Sequence, residues 1–431
     1  MARWLLADHG PSIRLTSSAD GVLSATHDAG ASEALVAALA AGDPVPAPFV
    51  VRTFSPVPSA RGERAITVDQ TNESVVVGER LVVKWLPRPE RRAHPAPPVL
   101  AHLAAVGFTA TARPFATVSV LLSDVEVLLA LVVEYLPDAV DGWDWCVDAV
   151  LAGAGADFAA DLGALTAELH TAFATPSEVF PAPRRSAGTT ALIQWADRAE
   201  AAVEEAVALT ARAQRASPPT GTGEAGAGGE LPAGAPNDGE YADPAVGVAE
   251  DRAWLLANAH RLRSAVATLR TIAGPTPLLP IHGDLHVGQV LRWREGYAIV
   301  DFDGNPTVPP SPDGSVPPEP AARDVAQMLT SLDHVGRIAD RRTSGTRTAE
   351  IDAWIHDARR RFLAAYRATA ATAAGGGGLL DERLLAAFEV EQECRELVYA
   401  ARLLPRWRYA PMGTLRRMFP AEDRTLPEGD S

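Results

Sequence analysis

Cysteine and long apolar runs are scarce in this chain of 431 residues. The two cysteines, Cys146 and Cys394, are too few and too far apart for a disulfide framework or a cysteine metal site. The longest apolar run, at 127–133, is much shorter than a membrane-spanning helix, and the N-terminal apolar run is too short for a signal peptide. We therefore expect a soluble cytoplasmic protein without a membrane partner.

Lysine is scarcer still, because 38 of the 39 basic residues are arginine and Lys84 is the one lysine. A drift in composition towards arginine explains the general loss of lysine, and a chance survivor is the simplest alternative for Lys84. However, the two residues are not interchangeable where a compact point charge must reach a phosphate group. We interpret Lys84 as a nucleotide-phosphate lysine at the end of two short strands that turn at Gly78.

Acidic residues outnumber basic ones, 54 against 39, and the formal net charge is −15. A chain with this balance lacks the basic patch that binding to nucleic acid or to an anionic membrane requires, so we expect neither partner. Hydrophobic residues make up 47%, which is enough for a large core. The length predicts two or three packed lobes.

The pattern along the chain changes from strands to helices. Residues 1–90 are typical of short strands and turns, 91–140 contain a helix and a strand hairpin that turns at 123–124, and 141–431 are mainly helical. The segment 217–245 has almost no large apolar residue, so it cannot offset the entropy of ordering and we expect a disordered insertion there.

The segment 281–289, which reads IHGDLHVGQ, has the spacing of a kinase catalytic loop. In such a loop the aspartate accepts the proton of the attacking hydroxyl group, and an amide oxygen five residues later binds magnesium. A short hairpin then leads to Asp301, where a kinase has its magnesium aspartate. We interpret Asp284 as the catalytic base, and Gln289 and Asp301 as ligands of the Mg²⁺ that accompanies ATP.

Each of these residues has a simpler explanation when it is taken alone. An aspartate in a turn is usually a turn former, and a single histidine is more often a core or loop residue. The order of lysine, loop, hairpin and metal aspartate argues for a kinase site instead. We interpret His282 as orienting the loop backbone and assign no role to His286.

These blocks resemble the aminoglycoside phosphotransferase and choline kinase group of small-molecule kinases, and especially the bacterial maltokinases. The likeness covers most of the chain from about Gln70 onward, through the blocks at 70–84, 134–145, 162–170, 282–289, 323–329 and 395–407. It implies an α+β, bilobed protein-kinase-like fold with an N-terminal cap subdomain. The cap and phosphate-binding hairpin would occupy 1–90, the rest of the N-lobe up to the hinge 91–140, and the helical C-lobe 141–431.

The same resemblance implies how ATP is held. Ser74 and Lys84 lie in the block that resembles the phosphate-binding hairpin, and Glu134 and Leu136 flank the hinge whose backbone binds adenine. One part of the pattern is missing, because the helix that should supply a glutamate to pair with the lysine has Pro98 at the matching position. The resemblance therefore leaves the partner of Lys84 open, as another acid or the nucleotide itself.

A second departure concerns the acceptor. Maltokinases have DFEGEP after the hairpin, whereas residues 301–306 of this chain read DFDGNP. This variant is similar to that of the maltokinase-like glucosamine kinases of actinobacteria, so the resemblance implies D-glucosamine as the acceptor and its 6-hydroxyl as the phosphorylated group. Asp303 would contact the hydroxyl groups of the sugar or serve as a second metal ligand.

An aminosugar requires a carboxylate for its ammonium and an apolar or aromatic face for its ring. The helical segment 381–404 places Glu389, Gln392, Glu393, Glu396 and Tyr399 on one face. We expect a solvated surface position for Glu389 and a role in sugar binding for Glu393 and Glu396. The remaining candidate substrate residues are Tyr399, Arg402 and Trp407, of which Trp407 is either a platform for the ring or a core residue.

Three other functions remain as alternatives. The first is a maltokinase that forms maltose 1-phosphate, or another small-molecule kinase such as one that modifies aminoglycosides. The second is a non-catalytic nucleotide-binding scaffold, which is disfavoured because Lys84, Asp284 and Asp301 are all present. A protein kinase is disfavoured because no activation segment ending in Ala-Pro-Glu follows Asp301.

Overall fold

The computed structural model describes residues 2–6, 10–66, 72–212, 247–304, 316–373 and 377–420. The insertion expected at 217–245 lies outside these residues, and so do Gln70 and Asn305 of the motifs. The described residues form a mixed α/β structure with most strands before residue 135 and most helices after it.

The chain begins with a three-stranded antiparallel sheet and one helix. Its elements are β1 (Ala2–Leu5), β2 (Ser12–Ser17), β3 (Leu23–His27) and α1 (Ala31–Ala41). Apolar side chains of this unit, such as Trp4 and Leu35, share one core with Val77 and Val118 of the next sheet. The N-terminal unit therefore packs directly on the strands that follow it.

The second sheet has six strands in the order β4-β8-β9-β7-β6-β5, and all neighbours are antiparallel. Its strands are β4 (Phe49–Thr53), β5 (Glu63–Ala65), β6 (Glu73–Val77), β7 (Leu81–Trp85), β8 (Pro114–Leu122) and β9 (Val125–Glu134), and α2 (Ala96–Ala105) connects β7 to β8. The hairpins predicted around Gly78 and around 123–124 are confirmed, with positive φ angles at Gly78, Ser123 and Asp124.

Strand β9 explains the longest apolar run of the sequence. Leu128 and Leu131 face the core of the helical part, whereas Val127, Leu129 and Val132 face the core shared with the N-terminal unit. A strand that is buried on both faces has a continuous apolar sequence rather than an alternating one. The run is therefore the signature of an inner strand.

The helical part contains eight helices in the described residues, and two short antiparallel strand pairs lie among them. The helices are α3 (Gly142–Leu151), α4 (Phe158–Ala174), α5 (Thr189–Arg212), α6 (Val248–Ala267), α7 (Ala322–Arg342), α8 (Thr348–Thr372), α9 (Leu385–Arg402) and α10 (Tyr409–Met418). The strand pairs are β10 (Arg185–Ala187) with β11 (Thr276–Leu278), and β12 (Val290–Trp293) with β13 (Gly296–Ile299). Among the described helices, none combines the length and apolarity needed to span a membrane.

Helix α7 is buried along most of its length because α3, α8, α9 and α10 pack around it. Its first turn lies below the loop 281–289, which leads into the predicted hairpin β12-β13. Backbone bonds join this hairpin to the rest: the Ile299 N–H donates to the Ala110 carbonyl over 2.9 Å, and Val140 pairs with Arg292. The segments after α2 and after β9 thus meet the hairpin that leads to Asp301.

Candidate active site

A buried aspartate at the start of α7 holds the loop 281–289. Asp324 is fully buried and accepts hydrogen bonds from the backbone N–H groups of His282, at 2.9 Å, and Gly283, at 2.8 Å. It also accepts from His170 Nε2 at 3.1 Å, and His170 Nδ1 lies 2.8 Å from the Tyr366 hydroxyl. Since each oxygen of Asp324 is engaged, the loop backbone has one defined position above α7.

His282 joins the loop to the strand that ends before Asp301. Its Nδ1 accepts from the Asp284 N–H at 3.3 Å, so its Nε2 carries the hydrogen and donates to the Val300 carbonyl at 2.9 Å. This geometry agrees with the prediction that His282 orients the loop backbone.

Asp284 has one oxygen held, and its other oxygen has no hydrogen-bond partner among the described residues. Gln327, one turn after Asp324 on α7, donates from Nε2 to Asp284 Oδ1 at 2.6 Å. Burial raises the pKa of Asp284 to about 7; His282 and the Gln327 hydrogen bond act against it, and the charges of Asp301 and Glu396 add to it. A carboxyl group with a pKa near neutrality can accept and return a proton, as a general base must.

His286 stands beside Asp284 with its ring fixed on both sides. Its Nδ1 accepts from the Gly288 N–H at 3.1 Å, and its ring stacks on Trp143 with 5.7 Å between the centroids. Its Nε2 lies 3.9 Å from Asp284 Oδ2 and 3.5 Å from Gln289 Nε2. Burial lowers the pKa of His286 to about 4.

Gln289 is buried at the end of the same turn. Its amide nitrogen faces His286 Nε2, and its backbone carbonyl accepts from the Val300 N–H at 2.9 Å. With the nitrogen turned to His286, the amide oxygen points elsewhere and is available as the hard ligand that magnesium prefers.

Lys84 reaches across from β7 to the segment after β13. Its ammonium pairs with Asp301 and, at 3.0 Å, with Asp303. Burial raises the pKa of Asp301 and Lys84 lowers it, and the attraction outweighs the burial, so that the Asp301 carboxyl is held well below its usual range. The question of the lysine partner is thereby answered for this structure: two aspartates take the place of the missing glutamate.

Asp303 is only partly satisfied by this arrangement. Its Oδ2 contacts Lys84, but its Oδ1 is buried and has no hydrogen-bond partner among the described residues, and His94 Nε2 is 3.9 Å away. Burial and the repulsion of Asp301 raise the pKa of Asp303. A buried carboxylate oxygen without a partner is costly unless a ligand or cation completes it.

The residues expected at the nucleotide lie along one edge of this space. Ser74 is opposite Lys84 in the β6-β7 pair, and Glu134 ends β9 with its N–H bonded to the Arg113 carbonyl at 2.8 Å. Leu136 is buried in a small apolar cluster with Ala112 and with Ala298 of β13. The segment after β9 therefore packs on β13, the strand that leads to Asp301.

The acidic face of α9 is turned to the same space. Glu393 is fully buried, and its Oε2 bonds His334 of α7 at 3.0 Å, whereas its Oε1 has no partner in the part of the chain that the structure describes. Burial raises the pKa of Glu393 to about 7. Glu396 accepts from Trp407 Nε1 at 3.0 Å, and its charge contributes to the raised pKa of Asp284. Burial and Glu396 raise the pKa of Tyr399 to about 12, which places Tyr399 beside Glu396.

Trp407 is a core residue, which is one of its two predicted roles. Its side chain is buried in the main core and its ring contacts Trp143 and His334, with centroids 5.9 and 5.4 Å away. At the same time its indole N–H orients the Glu396 carboxylate.

Two other residues of α9 lie apart from this group. The prediction that Glu389 is solvated is wrong: it is buried and pairs with Arg359 of α8 at 2.7 Å, so its charge is neutralised inside the core. Arg402 is 58% exposed and pairs with Glu205 of α5, which places it on the surface between α5 and α9.

Four residues that contact the site were not predicted from the sequence. Asp324 and Gln327 were noticed only as part of a resembling block, although their spacing of three on a helix could have indicated a shared face. Trp143 and His334 carry no local signal, because their partners lie more than 50 residues away in the chain.

No group of three or more histidine, cysteine, aspartate and glutamate side chains in the described residues is arranged to hold a metal ion. The expected magnesium set is smaller, an aspartate and an amide, with the remaining ligands supplied by phosphates and water. The unpartnered Asp303 Oδ1 next to Asp301 shows that the donor oxygens there are not all used by the protein. The residues present therefore fit a hard cation bound together with a nucleotide.

Comparison with known proteins defines the class. The chain is 40% identical to a glucosamine kinase of Streptacidiphilus jiangxiensis over 97% of this chain and 86% of that protein. It is 38% identical to a glucosamine kinase of Mycolicibacterium smegmatis (strain ATCC 700084 / mc(2)155), over 83% and 79%. No protein-family model matches the chain.

Solved structures agree with these relatives. A structure of a glucosamine kinase in complex with glucosamine, ADP and inorganic phosphate is 36% identical and superposes with a TM-score of 0.74, covering 97% of this chain and 93% of the other. A second crystal form, B, has the same identity and TM-score. The protein is thus an ATP-dependent sugar kinase. It belongs to the glucosamine kinase family.

Proposed function

We propose that this protein transfers the γ-phosphoryl group of ATP to the 6-hydroxyl of D-glucosamine, giving glucosamine 6-phosphate and ADP. The observation that carries the proposal is the likeness over 97% of the chain to a kinase structure that holds glucosamine, ADP and inorganic phosphate. The arrangement around Asp284 supports it, because a carboxylate with one oxygen held and one open can take a proton from a hydroxyl group.

The reaction needs little covalent chemistry from the protein, so positioning and charge are its main contributions. Asp284 Oδ2 accepts the proton of the acceptor hydroxyl, while Gln327 keeps Oδ1 in place. When ATP binds, Lys84 pairs with its phosphates instead of Asp301 and Asp303, since the ammonium and the two carboxylates meet at the same point.

Magnesium, when bound, neutralises charge on the phosphates of ATP. We assign Gln289 and Asp301 as its protein ligands, because one is an amide and the other a carboxylate whose low pKa keeps it ionised. Asp303 is then freed from Lys84, and its carboxylate either becomes a second ligand of the cation or contacts the hydroxyl groups of the sugar. Ser74 lies at the phosphates, and Glu134 and Leu136 at the adenine.

The acidic face of α9 is the proposed site for the amine of the sugar. Glu396 is oriented by Trp407, and Glu393 has an unpartnered oxygen inside the protein. An ammonium group would compensate this negative charge, whereas an acetylated amine would not. Tyr399 and Trp407 border the same space; Arg402, on the surface, could reach the sugar only after leaving Glu205.

We further propose a bilobed kinase-like organisation around this site. In it, 1–90 form the cap and phosphate-binding hairpin, 91–140 complete the N-lobe up to the hinge, and 141–431 form the C-lobe. The separate cores of the sheet part and the helical part support this division, as does the position of Lys84 on one and Asp284 on the other.

The test is ADP release by the purified protein with ATP and magnesium, measured with glucosamine, glucose, N-acetylglucosamine, maltose and an aminoglycoside. We expect high turnover with glucosamine, low turnover with glucose and none with N-acetylglucosamine. Turnover with maltose alone would refute the aminosugar and favour the maltokinase alternative. Mass spectrometry and NMR of the product establish whether the phosphate is on the 6-hydroxyl.

A further inference from the structure

His286 carries a fixed hydrogen on Nε2, for which the described residues offer no acceptor within hydrogen-bond distance. Because Nδ1 accepts the Gly288 N–H, the ring must be neutral and carry its hydrogen on Nε2. The ring cannot turn over easily, since Trp143 stacks on it and a Cβ atom on Gly288 would be 2.9 Å from His286 Cε1. The Nε2–H direction is therefore set by the fold.

The nearest polar atoms do not satisfy this donor. Gln289 Nε2, 3.5 Å away, is itself a donor. Asp284 Oδ2, 3.9 Å away, is an acceptor but lies beyond hydrogen-bond distance. Two N–H groups and one open carboxylate oxygen thus surround a space beside Asp284.

A single oxygen atom fits this geometry. Two hydrogen bonds of about 2.8 Å each can join through one shared atom two partners up to roughly 5.6 Å apart, and the separation here is 3.9 Å. An oxygen that donates its proton to Asp284 Oδ2 can therefore accept from His286 Nε2–H at the same time. A hydroxyl group has the required donor and acceptor capacity.

We propose that His286 is an acceptor-orienting residue: its Nε2–H donates to the oxygen of the sugar hydroxyl that attacks ATP. This inference rests on the proposed function. In the reaction the hydroxyl proton passes to Asp284 Oδ2, the oxygen forms a bond to the γ-phosphorus, and the bond from that phosphorus to the β,γ-bridging oxygen breaks to release ADP. His286 keeps its own hydrogen throughout. Its hydrogen bond engages one lone pair of the sugar hydroxyl oxygen, so that another lone pair of this oxygen remains for the attack on the γ-phosphorus.

The structure offers a pair of variants that separates this role from a structural one. An asparagine at 286 keeps an acceptor near the position of Nδ1 and so preserves the bond from the Gly288 N–H, but it loses the distant donor. A glutamine at 286 carries an N–H near the position of Nε2 but loses the acceptor for Gly288. The two substitutions remove opposite ends of the imidazole.

The experiment measures kcat, the KM for ATP and the thermal midpoint of wild type, His286→Asn and His286→Gln with glucosamine. We expect His286→Asn to lose about 10²-fold in kcat with an unchanged KM for ATP and an unchanged thermal midpoint. His286→Gln should retain at least about ten times the kcat of His286→Asn even if its thermal midpoint falls.

The opposite order, or an equal loss in both variants, would overturn the proposal, because the loop turn or the ring itself would then be the important feature. Failure of the proposed function looks different, since the wild type would then be inactive with glucosamine. In that case the three proteins are compared on whichever sugar of the acceptor series the wild type phosphorylates, and the same order of kcat supports or refutes the role of Nε2.

Discussion

At the scale of single residues, the site uses carboxylates that are half satisfied. Asp284 has Oδ1 bonded to Gln327 and Oδ2 open, while Asp303 has Oδ2 on Lys84 and Oδ1 unpartnered. A hydrogen bond or ion pair at one carboxylate oxygen fixes the direction in which the other oxygen points. Burial raises the affinity of the carboxylate for a proton or cation. In the proposed function, the same physical arrangement serves proton transfer at Asp284 and ligand binding at Asp303.

The first prediction concerns the base. Asp284→Asn should lower kcat by about 10² to 10⁴-fold, because the amide retains the shape but cannot accept the proton. Binding of ATP, measured by isothermal titration calorimetry, should persist since Lys84 and Asp301 are unchanged. Asp148→Asn, on the exposed side of α3, is the matched control and should have wild-type turnover. Near-full activity of Asp284→Asn would remove Asp284 from the mechanism.

The second prediction concerns pH. Since the pKa of Asp284 is raised to about 7, the active ionised form is lost as the pH falls through 7, and kcat/KM should fall on the acid side. The Gln327 hydrogen bond lowers that pKa, so Gln327→Leu should move the acid limb to higher pH by about one unit. The profile of kcat/KM against pH measures this, with Gln194→Leu on exposed α5 as the control. If the acid limb of Gln327→Leu stayed in place or moved to lower pH, Asp284 would not be the group that titrates there.

At the scale of elements, the N-terminus of α3 is pressed against the catalytic loop. A Cβ atom on Gly142 would lie 1.6 Å from the Val287 carbonyl oxygen, and one on Gly288 would lie 2.5 Å from Trp143 Nε1. Asp141 caps the helix by accepting from the Trp143 N–H at 2.8 Å. Gly142 thus lies against the backbone of the loop, and Gly288 lies against the side chain of Trp143. These two contacts set how closely the loop approaches α3.

The third prediction tests this contact. Gly142→Ala should destabilise the protein by about 3 kcal/mol, because the methyl group meets backbone that cannot rotate away. Chemical denaturation measures the loss, and kcat should fall as well, since Asp284 and Gln289 are on the displaced loop. Gly188→Ala is the control, as nothing lies within 4 Å of its Cβ position. Equal stability of the two variants would show that α3 and the loop are not in contact as described.

At the scale of the whole molecule, a buried charge cluster joins three helices behind the site. Glu391 of α9 is 1% exposed and pairs with Arg323 of α7 at 3.0 Å, Arg395 of α9 at 2.7 Å and Arg198 of α5 at 3.3 Å. A single carboxylate thus compensates charges from three helices. Because α7 carries Asp324 and Gln327 and α9 carries Glu393 and Glu396, this cluster relates the two sides of the proposed site.

The fourth prediction follows from that arrangement. Glu391→Gln should cost about 3 kcal/mol in the free energy of unfolding, because three arginines lose their ion pair with a carboxylate that is 1% exposed. Glu382→Gln removes an exposed pair with Arg367 and should cost less than about 1 kcal/mol. Urea denaturation of both variants gives the comparison. Similarly small losses of unfolding free energy in the two variants would mean that the Glu391 cluster does not hold α5, α7 and α9 together.

The sequence alone determined what depends on short spacing. The interval from Asp284 to Gln289, the hairpin before Asp301 and the strands around Gly78 are local patterns, and the hairpins are found where they were expected. Its resemblance to a family of sugar kinases agrees with the comparisons, because the motifs occur in the same order.

Tertiary structure alone decided which residues meet. Lys84 and Asp301 are 217 residues apart, and Asp284 and Gln327 are 43 apart. Helical periodicity shows that Glu389 and Glu393 share a face of α9, but not that Arg359 and His334 lie against that face. Periodicity determines the direction of a side chain relative to its own element, whereas its partner depends on how all elements pack around one core. For this reason the hairpin between 281–289 and Asp301 could be predicted from the sequence, and the partners of Lys84, Asp284 and Glu393 could not.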